Sequence, residues 1–148
     1  VWFAVLIGMS AQLNELGFIK FIATKVSSSL TAANLAWPQV FLILHSSYFA
    51  IHYFFASQTA QVAALATAFL AMMLASGVPP MLAGLTMAFH TNLFGAITHY
   101  ASGQSAVYFG SGYVDLKDYF RIGAIVGAFN FVLWAVVGGA WWKVIGLY

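Results

Sequence analysis

The sequence predicts an all-α integral membrane protein with one re-entrant helical hairpin, one broken transmembrane helix and a final transmembrane helix. Three observations lead there. The 148 residues are 63% hydrophobic and only 5% charged, against about 25% charged in soluble domains. So few charged groups cannot cover a water-facing surface, so lipid is the solvent for most of it. The apolar segments are divided by strong turn formers, and two of them are interrupted by short polar runs.

The same composition excludes other classes. The net charge of +2 leaves no basic footprint for nucleic acid. With no cysteine there are no disulfides, thiol nucleophiles or iron–sulfur clusters. No nucleophile–base motif or phosphate-binding loop occurs, so the chain is not read as an enzyme. Asp115 and Asp118, beside Lys117 and Arg121, read as a solvated helix start and not as a catalytic pair.

The elements follow in order. Residues 1–9, "VWFAVLIGM", read as the end of a transmembrane helix. They are too few to span, which takes roughly 20 residues, so an N-terminal part is expected to be missing. Residues 10–30 place Leu13, Leu16, Ile19 and Ile22 at helical spacing, with Gln12, Glu15, Lys20 and Lys25 between. This pattern predicts an amphipathic helix at the membrane surface. Residues 37–76 form two short apolar arms around the polar "ASQTAQ" of Ala56–Gln61, which predicts a re-entrant hairpin with its tip at mid-membrane. The turn "SGVPP" ends it. Residues 81–114 predict a helix broken over Ala101–Gln104 and resumed afterwards, with Gln104 as its cap. Residues 119–142 predict the last span, closed by Trp141, Trp142, Lys143 and Tyr148 as an interfacial anchor.

Breaking a helix in lipid frees N–H and C=O groups that are costly to leave unpaired. Two such breaks, at Ser57–Thr59 and at Ala101–Gln104, need a use for those groups. A resuming helix presents N–H donors and the positive end of its dipole, which suits an anion. An ending helix presents carbonyls, which suit a cation. Paired breaks of this kind build the sites of secondary transporters. The plainer reading takes Gly103, Gly110 and Gly112 as packing glycines; the pairing of the two interruptions favours a site. Gly103 is expected to admit a close backbone approach, and a side chain at Gly127, inside the last span, is expected to be milder than one at Gly103.

"FASQTAQVAAL" (Phe55–Leu65) and "TNLFGAITHYASGQSAVYFGSGYVDLKDYFRIG" (Thr91–Gly123) resemble the divalent anion:sodium symporter family. They are most similar to its 2-oxoglutarate/malate translocator branch of dicarboxylate antiporters, found in plastid envelopes and bacteria. The resemblance implies a transporter of two inverted repeats, of which this chain is the second. Ser57, Gln58 and Thr59 match the Ser-Asn-Thr motif at the family's hairpin tip. Ala101, Ser102, Gly103 and Gln104 match its broken-helix loop, often Ala-Thr-Pro-Pro. The resemblance thus implies substrate binding by Ser57, Gln58, Thr59, Ser102, Gly103 and Gln104, and a sodium site drawn from Ser57, Gln58, Ala101 and Ser102. The lost prolines argue against tight sodium coupling. No other cofactor is expected.

The implied function is secondary active transport of small dicarboxylates such as malate, 2-oxoglutarate and succinate, by anion exchange. The alternatives are a sodium-coupled di- or tricarboxylate symporter and a non-transporting structural subunit. The implied partners are dicarboxylate anions, the lipid bilayer and a second copy in a homodimer. The expected location is a bacterial inner membrane or a plastid inner envelope. Of the histidines, His45 and His52 lie seven apart, and His90 and His99 nine apart. That spacing does not suit bis-histidine haem ligation. His99, adjoining the second break, is the one expected to act on an anion as pH falls.

Overall fold

The computed structural model describes residues 12, 15–33 and 35–148; the segment 1–9, read as the end of a span, lies outside them. We number its helices α1 (Phe18–Ala32), α2 (Trp37–Ile51), α3 (Gln58–Ala75), α4 (Pro80–Leu93), α5 (Gly103–Gly110) and α6 (Leu116–Val144). Among the described residues there is no strand.

The amphipathic helix is present, but it turns a different face inward. Ala23 is buried, and Ile22, Val26 and Leu30 pack on the core, while Leu16 and Phe21 are exposed. Positions 22, 23, 26 and 30 make the i, i+1, i+4, i+8 stripe of a helix laid on a partner. That partner is the second half of α3, Thr67–Ala75. Lys20 and Lys25 stay exposed.

The two arms predicted for residues 37–76 are α2 and α3. Pro38 sits in the first turn of α2, where its missing N–H costs nothing. A 3₁₀ turn, His52–Phe54, extends α2. The chain is then extended at Phe55 and Ser57 before α3 begins at Gln58. A π turn, Val62–Ala66, lies within α3. At its end Gly77 takes φ +79°, the Gly77 N–H donates to Leu74 and the Val78 N–H donates to Met73. This is a Schellman ending, which needs a left-handed residue, and Pro79 and Pro80 then start α4. Val40, Leu44 and Tyr48 of α2, Phe69, Met72 and Met73 of α3, and Leu82, Ala83 and Met87 of α4 form one core.

The broken helix departs most from expectation. α4 stops at Leu93, several residues before Ala101, the chain runs irregularly over 94–102, and α5 starts at Gly103. Two contacts explain the early stop. The Phe94 ring stacks on His52, centroids 4.2 Å apart. The carbonyls of Ala96 and Ile97 lie so close to Gly123 of α6 that a Cβ there would sit 2.7 and 2.8 Å from them. α6 runs unbroken, with a π turn at Trp134–Gly138.

Candidate anion site at the hairpin tip

The turn between α2 and α3 and the break between α4 and α5 meet directly. The Gln58 N–H donates to the Ala101 carbonyl at 3.1 Å. The Gln58 side-chain Nε2 donates to the Thr91 carbonyl at 2.6 Å, one of the free carbonyls in the last turn of α4. The Tyr100 hydroxyl donates to the Tyr53 carbonyl at 2.7 Å. Gly95 makes this possible, because a Cβ at residue 95 would collide with the Gln58 amide nitrogen.

Around this junction the site residues take distinct roles. The Ser57 and Thr59 hydroxyls share a hydrogen bond of 2.9 Å. Ser102 is the N-cap of α5: its Oγ accepts from the Ser105 N–H at 3.1 Å and lies 2.9 Å from the Ser105 Oγ. The cap is therefore Ser102 and not Gln104, since a Ser side chain in extended backbone reaches the third N–H and a helical Gln does not. The Ser105 hydroxyl donates to the Gly95 carbonyl at 2.8 Å, pinning α5 to the break. Gln104 is exposed on an open cleft of about 410 Å³ with Gly103, Val107 and Tyr108. A Cβ on Gly103 would meet nothing within 4 Å, so this glycine keeps the cleft open and makes no close backbone contact.

The electrostatics come from backbone dipoles. Lys20, Lys25, Lys117, Arg121 and Lys143 are all exposed, and the residues of the junction carry no charge. The first N–H groups of α3 and α5 supply the positive potential there. The Ala101 carbonyl accepts from Gln58, and the Ser102 Oγ is turned to Ser105.

The profile of one family, described as the sodium:sulfate symporter transmembrane region, matches residues 1–148. The chain belongs to this family. Among its relatives is "Dicarboxylate transporter 2, chloroplastic" of Spinacia oleracea, 56% identical over 99% of this chain and 26% of that protein. "Dicarboxylate transporter 1, chloroplastic" of Arabidopsis thaliana is 42% identical over 99% of the chain and 26% of its own length. "Inner membrane protein YbhI" of Escherichia coli is 30% identical over 98% of the chain and 30% of its own length. The chain thus spans between a quarter and a third of these relatives, and both expected settings, plastid and bacterial membrane, occur among them.

In this family member the tip triplet and the break loop foreseen from sequence come together. His99 packs among Tyr100, Phe109 and Phe120. His45 and His90 touch, with ring centroids 3.8 Å apart. Sequence reasoning missed His52 and Gln61, both fully buried at the base of the tip. The signal was present in Gln61, an amide one helical turn after Gln58. A separate cavity of about 250 Å³ lies between Trp37, Phe41, Phe89, Trp134 and Trp142; its walls are apolar and aromatic and do not suit a dianion.

Proposed function

We propose that this chain is the substrate-binding second repeat of a membrane transporter that exchanges small dicarboxylates, and not part of an enzyme. The observation that carries the reading is the Gln58 N–H to Ala101 carbonyl bond. It brings the starts of α3 and α5 to one place, where N–H groups and the hydroxyls of Ser57, Thr59 and Ser102 suit a carboxylate. The names of the plant relatives support the substrate class. In this reading α2 and α3 form a re-entrant hairpin, Ser57, Gln58, Thr59, Ser102, Gly103 and Gln104 surround the substrate, and the whole transporter works as a homodimer.

The absence of the family's loop prolines at Gly103 and Gln104 supports exchange without tight sodium coupling. The second reading, a sodium-coupled di- or tricarboxylate symporter, is favoured by the family's own description, which names sodium. One experiment separates them. Liposomes holding the full-length protein and preloaded with malate should take up labelled 2-oxoglutarate without sodium, and empty ones should not. Steep sodium dependence of uptake into empty liposomes would decide for the symporter.

A further inference from the structure

His52 and Gln61 reach the junction from behind. The Gln61 Nε2 donates to the Tyr48 carbonyl at 2.7 Å, and its Oε1 lies 2.5 Å from the His52 Nδ1. The first bond orients the amide, since a carbonyl requires a donor and the nitrogen must face it. The amide oxygen therefore faces the imidazole, and because it only accepts, the hydrogen of neutral His52 sits on Nδ1. The other nitrogen, Nε2, has no hydrogen-bond partner, and the ring also approaches the backbone of Ala101. The Ala101 N–H is already given to Thr98, so the Ala101 carbonyl is the group that faces the ring. That carbonyl is the one that accepts from Gln58. The imidazole is also stacked on Phe94, at an interplanar angle of 25°.

We infer that His52 and Gln61 are a positioning pair for the anion site. They touch no substrate but fix where the Ala101 carbonyl and the first turn of α3 stand. Gln61 holds α3 to the end of α2, and His52 sets the break against both. This inference rests on the reading of the junction as a dicarboxylate site.

The test uses the full-length protein in liposomes, with initial rates of malate/2-oxoglutarate exchange. The His52→Phe and Gln61→Leu variants should raise KM about tenfold, the equivalent of one hydrogen bond, with a smaller change in maximal rate per inserted protein. The His52→Asn variant places an amide N–H where Nδ1–H stands. It should restore KM to near the wild-type value; His52→Gln, with its amide one methylene further out, should not restore it. Equal KM in the wild type and the Phe variant would overturn the inference. So would losses that track protein level alone. A second arm does not depend on transport. In ¹⁵N spectra of the histidine-labelled full-length protein in bilayers, His52 should show a protonated Nδ1 near neutral pH that is lost in Gln61→Leu. The opposite tautomer overturns the inference even where exchange proceeds normally. Absence of exchange by the wild type with the Nδ1–H tautomer present overturns the transport reading and leaves the pair standing.

Discussion

Glycines that look alike in the sequence do opposite things. Gly103 faces open space, whereas Gly123 lies under the Ala96 and Ile97 carbonyls and Gly127 would bring a Cβ to 2.5 Å from the Ile97 Cγ2. The expectation that a side chain at Gly127 would be mild is therefore reversed, because the break packs on the last span at that turn. The Gly123→Ala change should destabilise the protein by about 1–3 kcal/mol, the range for overpacking against atoms that cannot retreat. The Gly103→Ala change should leave the melting temperature where it is. Thermal unfolding of the detergent-solubilised full-length protein reads both, and equal melting temperatures would show that the break does not press on α6. No local pattern in the sequence separates these residues, since the deciding neighbour is some thirty residues away. The tip triplet was legible for the contrary reason: its polarity contrasts with its own flanks.

Elements were legible where a turn former or a polar run marks their ends. Pro38, the Ser76–Pro80 turn and Asp115 bound α2, α3, α4 and α6 close to where sequence places them. The end of α4 was not legible. Phe94, Ala96 and Ile97 continue a helical apolar pattern, and only their contacts with His52 and Gly123 take them out of the helix. The restart of α5 depends on Ser102, and this gives a prediction at the same scale. The Ser102→Ala change removes the cap and should cost about 1 kcal/mol of stability. The Ser102→Cys change, in a background free of other cysteines, should react with a small water-soluble thiol reagent. Saturating dicarboxylate should slow that reaction. Inertness under all conditions would mean that the cap is sealed from water and that the glycine-rich run serves packing alone.

At the scale of the whole molecule, one long helix carries the largest share of the exposed large apolar side chains among the described residues. Ile122, Ile125, Phe129, Val132 and Val136 of α6 are all more than half exposed, on a helix of 29 residues that holds an 18-residue stretch of mean hydropathy 1.9. Such a helix is about 43 Å long, enough to cross the hydrocarbon core with Phe129 near its centre. Lysine scanning of α6 in an insertion assay should show a penalty of about 3 kcal/mol at Phe129, falling towards zero at Tyr119. A flat profile would mean that α6 does not span. The membrane class itself was legible from composition alone, because lipid imposes its demand on every surface residue at once.

The tie between tip and break also bears on populations. Parting them would break the bonds from Gln58 to Ala101, from Gln58 to Thr91 and from Tyr100 to Tyr53. At about 1 kcal/mol each, a molecule with the two loops apart is outnumbered by roughly a hundredfold or more by one with them joined. In the proposed exchange reading, the two loops are expected to move as one body.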